Sequence, residues 1–214
     1  MNQSNKIKYF AYGSNMCSGR LRDRICCEFD AIASLPGYQL RFHKVSKDKS
    51  SKCDAFYTGA DGDEVWGVIF DIPAADKSKL DAYEGLGSGY KDASVVVQTS
   101  DGKQLQVRTY VADPKSIKTG LAPYTWYKAF VETGAQEHNL PEAYVAGAIQ
   151  AIEAVQDSDR GRHERETCRL QPWKKRQESV STLRLRSFQR RTAGALGRTT
   201  FLSKLRNRRA YSHF

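Results

Sequence analysis

The chain has few cysteines, and their arrangement argues against two kinds of site. There are five in 214 residues, at positions 17, 26, 27, 53 and 168. Their number is odd, two are adjacent and no pair has the CxxC spacing, so the sequence predicts neither a disulfide framework nor a cysteine zinc site. The four histidines show no metal-ligand spacing either. We expect buried or idle thiols in a reducing compartment.

Long apolar runs are also absent. The most apolar stretch, Glu64–Ile72 (EVWGVIFDI), is far too short to cross a bilayer, which takes about 20 residues. The first eight residues, MNQSNKIK, contain no apolar signal region and lead directly into a predicted strand. We therefore expect a cytoplasmic protein without a membrane span.

Acidic residues are scarce in one part of the chain only. Residues 157–214 contain 16 Lys and Arg against 5 Asp and Glu, a net charge of +11, whereas residues 1–156 have 18 against 19, a net charge of −1. The sequence thus predicts a folded domain over 1–156 and an Arg-rich tail over 157–214. We expect the tail to be disordered, because charge-rich segments with little apolar surface to bury do not fold. The alternative is a contact with nucleic acid or an anionic membrane surface.

The pattern over residues 1–156 indicates an α+β domain. Alternating and β-branched segments predict strands at 7–12, 27–37, 38–43, 53–58, 64–72, 93–99 and 104–111, and helical patterns cover 16–24, 74–83, 126–133 and 141–155. Gly134 is expected to close the third of these helices. Residues 44–52 are polar and predict a loop, which could form the rim of a pocket or be an ordinary solvated connection.

A strand, a glycine turn and a helix start follow one another at Tyr9–Met16 (YFAYGSNM). Gly13 allows a close approach to the backbone, and Ser14 or Asn15 can cap the helix. Free backbone N–H groups at such a turn can bind an anion or an oxyanion. An ordinary strand-to-helix turn would show the same pattern.

Four segments in this order resemble one family. They are YFAYGSN at 9–15, GDEVWGVIF at 62–70, YEGLGSGY at 83–90 and WYKAFVETGAQEHNLPEAY at 126–144. Over about residues 6–156 the chain is similar to the γ-glutamylcyclotransferase (AIG2-like) family. The resemblance implies a small mixed β-barrel flanked by helices. It also implies a cyclising acyl transfer of the amide-cleaving lyase class, in which a γ-glutamyl amino acid yields 5-oxoproline and the free amino acid without a metal or an organic cofactor.

The resemblance also implies where this chemistry takes place. Glu84 and Gly85, followed by Gly89 and Tyr90, match the block that carries the acid/base glutamate of the family, so Glu84 is the predicted catalytic residue. Local sequence alone would make Glu84 a solvated helix end. The predicted substrate-binding residues are those of the glycine turn and three tyrosines, namely Tyr12, Gly13, Ser14, Asn15, Tyr90, Tyr110 and Tyr127.

Several alternatives stay open at this point. The substrate could instead be a γ-glutamyl amine or glutathione, and the fold could serve as a binding module whose basic tail contacts nucleic acid. Ser14 as a nucleophile is a weaker alternative, because no glycine elbow follows it. The sequence does not decide whether the protein is a monomer or a homodimer, or whether residues 44–52 gate the site.

Overall fold

Seven strands form a closed barrel and a separate hairpin in the computed structural model, which describes residues 5–171 as part of one compact unit. The barrel order is β1-β5-β2-β6-β7. Its antiparallel pairs are closed by a parallel contact between β7 and β1, where Arg108 faces Tyr9. The predicted fold class, a small mixed barrel with helices, is confirmed. The strands are β1 Lys6–Ala11, β2 Glu28–Pro36, β3 Tyr38–Val45, β4 Ser51–Tyr57, β5 Glu64–Pro73, β6 Tyr90–Thr99 and β7 Gln104–Ala112.

Strand β5 is a central strand, with a neighbour on each side, as its apolar sequence predicts. It pairs with β1 on one side and with β2 on the other. Val65, Val68, Ile69, Phe70 and Ile72 are fully buried. The strand has a paired neighbour on each edge, and its side chains are buried on both faces. This explains why the run is almost continuously apolar.

Strands β3 and β4 form a second, two-stranded sheet. The pairing shifts between Phe42 and Lys44, which leaves His43 as an extra residue in a β-bulge. His43 Nε2 lies 2.8 Å from Asp54 Oδ2, and Oδ1 of the same carboxylate accepts the backbone N–H of Ala112 at 2.7 Å. Asp54 thereby joins the hairpin to β7. Because β3 runs to Val45 and β4 begins at Ser51, the connection is shorter than the predicted loop over 44–52.

Helices surround the barrel in the described part of the chain. They are α1 Ser18–Arg22, α2 Lys77–Glu84, α3 Thr125–Glu137, α4 Glu142–Tyr144, which continues into a π-helix at Val145–Gln150, and α5 over 160–171. The prediction that Gly134 ends a helix is wrong, since α3 continues to Glu137. A Cβ on Gly134 would lie 2.4 Å from the backbone N of Cys17. The glycine is thus a packing requirement, because it lets α3 contact the turn that follows β1.

The described chain continues beyond the predicted domain boundary at residue 156. Asp157 is buried and accepts the indole N–H of Trp126 at 2.9 Å, and Glu166 in α5 pairs with Arg20 at 2.8 Å. Leu170 is also buried. Residues 157–171 therefore pack on the barrel unit, which differs from the disorder expected of the tail. The prediction for 172–214 lies outside the described residues. No helix within 5–171 is long and apolar enough to span a membrane.

Candidate functional site

A small cavity that is open to solvent lies beside the end of β1. All eight predicted site residues line it, although they come from four distant parts of the sequence. The structure thus brings together all eight residues that the family resemblance implies for the site. The lining residues are Tyr9, Tyr12, Gly13, Ser14, Asn15, Cys53, Glu84, Tyr90, Tyr110 and Tyr127.

The glycine turn forms one wall of the cavity. Pairing of β1 with β5 ends at Ala11, and a single turn of 3-10 helix follows at Ser14–Met16. Within the described chain, the backbone N–H groups of Gly13, Ser14 and Asn15 donate to no protein acceptor. A Cβ on Gly13 would lie 3.2 Å from Cys53 Cβ and 3.3 Å from the Tyr127 hydroxyl, so the turn packs closely on its neighbours. Such unpaired donors can hold a carboxylate or a developing oxyanion.

Glu84 is the last residue of α2, which ends where Gly85 takes the left-handed conformation (φ 64°, ψ 47°). Its side chain is 16% exposed. Oε1 accepts the amide of Asn15 at 2.9 Å and Nη1 of Arg24 at 3.0 Å. Arg24 Nη1 also donates to Asn15 Oδ1 at 2.9 Å. The three side chains form a closed hydrogen-bonded triangle, in which the guanidinium and the amide stabilise a negatively charged carboxylate.

The side chain of Asn15 does not cap the helix as the sequence suggests. Neither Ser14 nor Asn15 makes a side-chain cap contact at the starts of the 3-10 helix and of α1. Instead, the amide of Asn15 donates to Glu84 and to the Tyr9 hydroxyl, 2.9 Å away in each case. Asn15 therefore contributes to the site through its side chain as well as through its backbone.

The predicted tyrosines use their hydroxyls to hold the cavity together. Tyr90 donates to the carbonyl oxygen of Cys53 at 2.6 Å, and the hydroxyl of Tyr127 accepts the Cys53 N–H at 3.0 Å. Both contacts attach β4 to the cavity wall. Burial raises the pKa of Tyr90 and Tyr127 well above the ordinary tyrosine value, so both hydroxyls stay protonated.

Tyr110 and Tyr12 form a second pair. The Tyr110 hydroxyl donates to Asp81 Oδ1 at 2.7 Å, and the Tyr12 hydroxyl donates to the Tyr110 carbonyl oxygen. Burial raises the pKa of both phenols. The first of these contacts directs the Tyr110 hydroxyl toward Asp81 in α2.

Three residues at the site are missing from the sequence-based set. Tyr9 and Cys53 line the cavity, and Arg24 contacts Glu84. Tyr9 lies three residues before Tyr12 in the same motif, which is a signal that could have been used. Cys53 and Arg24 have no local signal, because the packing of the hairpin brings Cys53 to the cavity and the packing of the segment after α1 brings Arg24 to Glu84. Within residues 5–171, no group of three or more His, Cys, Asp or Glu side chains could hold a metal ion.

Comparison with known proteins gives the same family as the motifs. The model of the AIG2-like family matches residues 64–148. The γ-glutamylcyclotransferase of Mus musculus is 32% identical over 154 residues, which cover 68% of this chain and 78% of the relative. The γ-glutamylcyclotransferase of Homo sapiens is 32% identical over 157 residues, 71% of this chain and 79% of the relative.

A solved structure described as a γ-glutamyl cyclotransferase has the same fold. It superposes with a TM-score of 0.66 at 29% identity, covering 73% of this chain and 93% of that one. From these likenesses we conclude that the chain belongs to the γ-glutamylcyclotransferase family.

Proposed function

We propose that the protein converts a γ-glutamyl amino acid into 5-oxoproline and the free amino acid. Membership of the family supports this reaction, and so does the content of the cavity. The observation that carries the proposal is the hydrogen bond of 2.9 Å from the Asn15 amide to the Glu84 carboxylate. It places the carboxylate beside a turn whose backbone N–H groups have no acceptor in the described chain. A proton acceptor and oxyanion donors in one cavity are what an intramolecular acyl transfer needs.

The substrate brings its own nucleophile. The α-amine of the γ-glutamyl group attacks the γ-carbonyl carbon, and the new C–N bond closes a five-membered lactam. Because the attack is intramolecular, much of the entropic cost of bringing the groups together is already met within the substrate. The enzyme has to fold the glutamyl chain, stabilise charge and move protons.

Glu84 is proposed to move those protons. Its carboxylate accepts a proton from the α-nitrogen and returns it to the leaving nitrogen as the original amide C–N bond breaks. The contacts from Arg24 and Asn15 are both to Oε1 and orient the carboxylate, and Oε2 accepts no hydrogen bond from a described residue. Oε2 is thus the oxygen available for the proton.

The glycine turn is proposed to bind the two oxygen-rich ends of the substrate. The N–H groups of Gly13, Ser14 and Asn15 have no protein acceptors in the described chain and can hold the oxyanion of the tetrahedral intermediate or the α-carboxylate. The buried tyrosine rings enclose the aliphatic part of the glutamyl group. Every step uses groups of the protein and of the substrate, so the mechanism requires no metal or organic cofactor.

Release of 5-oxoproline by the purified full-length protein tests the proposal. γ-Glutamyl-alanine is the first substrate, and a γ-glutamyl amine and glutathione are tested as alternative substrates in separate reactions. We expect kcat/KM to be higher for γ-glutamyl-alanine than for the other two substrates. A preference for glutathione or the amine would change the substrate class, and no turnover of any of the three would overturn the proposed activity.

A further inference from the structure

The side chain of Lys44, in the second sheet, contacts a residue of the cavity wall. Its Nζ lies 4.5 Å from the centroid of the Tyr90 ring, and Tyr90 is part of the cavity wall. The same side chain lies against Gly89, where a Cβ would be 2.7 Å from Lys44 Nζ and 2.9 Å from its Cε. The absence of a side chain at Gly89 leaves the space that this ammonium group occupies.

The bulge in β3 fixes the position of Lys44. The pairing shift lies between Phe42 and Lys44, and the extra residue, His43, bonds to the buried Asp54. Asp54 in turn accepts the N–H of Ala112 in β7. Bulges commonly redirect a neighbouring side chain, and this one is anchored to the barrel by buried hydrogen bonds. The fold therefore determines the orientation of Lys44.

Among the described residues, the charge of Lys44 has no carboxylate partner within ion-pair distance. Lys44 is half-buried, and it makes no ion pair with any residue of the described range. The neighbouring Lys52, by contrast, pairs with Asp48 at 2.8 Å. Burial lowers the pKa of Lys44, and the nearby charge of Glu84 opposes that shift. A partly desolvated ammonium without an anionic partner is a favourable place for an anionic ligand.

We propose that Lys44 binds the carboxylate of the amino acid that leaves during the reaction. This inference rests on the proposed function. In a γ-glutamyl amino acid, one carbon separates that carboxylate from the nitrogen that receives a proton from Glu84. Lys44 interacts electrostatically with Glu84 and contacts the ring of Tyr90, a residue of the cavity wall, and this places its charge near the leaving group. A γ-glutamyl amine has no such carboxylate, and Lys44 would thus determine specificity for amino acids over amines.

A matched pair of substrates tests the inference. γ-Glutamyl-ethylamine is γ-glutamyl-alanine without the leaving-group carboxylate. The wild type is expected to prefer the alanine substrate by about tenfold or more in kcat/KM, as for other sites built around one polar substrate group. Lys44→Met keeps the aliphatic stem against Tyr90 and Gly89 but removes the charge. In this variant the ratio should fall close to one, mainly through a higher KM for γ-glutamyl-alanine.

Two further variants keep the test independent of folding defects in Lys44→Met. Lys44→Arg retains a cation and should keep the preference. Gly89→Ala displaces the ammonium without deleting it, so it should lower the ratio. Lys47→Met is the control, since Lys47 is exposed, lies three residues away and makes no ion pair within the described chain. It should leave the ratio unchanged.

The outcomes separate this inference from the proposed function. Equal losses on both substrates in Lys44→Met would overturn it, because Lys44 would then act through Glu84 or the fold. A wild type with the same kcat/KM for both substrates would also overturn it, while the cyclising reaction itself would stand. Failure of the wild type to turn over either substrate would instead reject the proposed function, and the role of Lys44 with it.

Discussion

The amide of Asn15 and the carboxylate of Glu84 are 2.9 Å apart, although 69 residues separate them in the sequence. The same amide nitrogen donates to the Tyr9 hydroxyl, and its carbonyl oxygen accepts from Arg24. Asn15 therefore has its donors and its acceptor occupied, which fixes its orientation. We interpret Asn15 as the positioning residue for Glu84.

Replacement of this side chain should impair catalysis without unfolding the protein. Asn15→Ala is expected to lower kcat by about 10- to 100-fold, because a poorly oriented proton acceptor loses much of its advantage, while KM changes less. Steady-state kinetics on γ-glutamyl-alanine measures both values. Tyr9→Phe removes only the hydroxyl that accepts a hydrogen bond from the Asn15 amide, so it should lower kcat less. An Asn15→Ala variant with unchanged kcat would contradict the positioning role.

The packing of α3 on the glycine turn predicts opposite effects for two glycines. Gly134→Ala places a Cβ 2.4 Å from the backbone of Cys17 and should lower the free energy of unfolding by about 1–3 kcal/mol. Gly147→Ala meets no atom within 4 Å and should raise it by about 0.5–1 kcal/mol, since alanine is the better helix former. Urea denaturation compares the two variants. Equal changes in the free energy of unfolding would show that α3 does not pack closely on the glycine turn.

The site could be predicted only to the extent that local motifs mark it. Glu84 and residues 12–15 lie in short segments whose glycines and aromatic residues form recognisable blocks. Arg24 could not be found in this way, because nothing in its own segment indicates that its guanidinium reaches back to Asn15 and Glu84. Likewise, the position of Lys44 depends on a bulge that the alternation of residues 38–45 does not reveal.

The packing of residues 157–171 on the barrel unit could not be predicted from charge, for a different reason. Residues 157–171 contain four basic and four acidic residues, so the whole basic excess of residues 157–214 lies in 172–214. The charged residues of α5 form ion pairs with the barrel unit and with each other, as Glu166 does with Arg20 and Arg169. Charge content alone therefore does not reveal that a charged helix such as α5 packs on the barrel unit.

The contact of Asp157 makes stability depend on pH. The Arg162 guanidinium holds the pKa of the Asp157 carboxyl well below its usual range. A carboxyl with a depressed pKa stabilises the fold at neutral pH, and this contribution is lost as the pH falls below about 4, the ordinary range of aspartate. Asp157→Asn should therefore cost about 1–3 kcal/mol at pH 7 and progressively less in acid.

Urea denaturation at several pH values measures this difference. Asp159→Asn is the matched control, because Asp159 is about half exposed and its pair with Arg162 is longer, at 3.5 Å. Its effect should stay below about 0.5 kcal/mol at every pH. If the deficit of Asp157→Asn were constant with pH, its carboxylate charge would not be what attaches residues 157–171 to the barrel.

The most direct test of the account is 5-oxoproline release from γ-glutamyl-alanine by the wild type and by Glu84→Gln. Glutamine has nearly the same shape and retains an acceptor for Asn15 and Arg24, but it cannot take up the proton. Glu142→Gln, an exposed glutamate outside the cavity, serves as the control. The account predicts a folded Glu84→Gln protein whose kcat/KM is about 10²- to 10⁴-fold lower, with full activity in the control. Equal activity of Glu84→Gln and the wild type would contradict the role of Glu84.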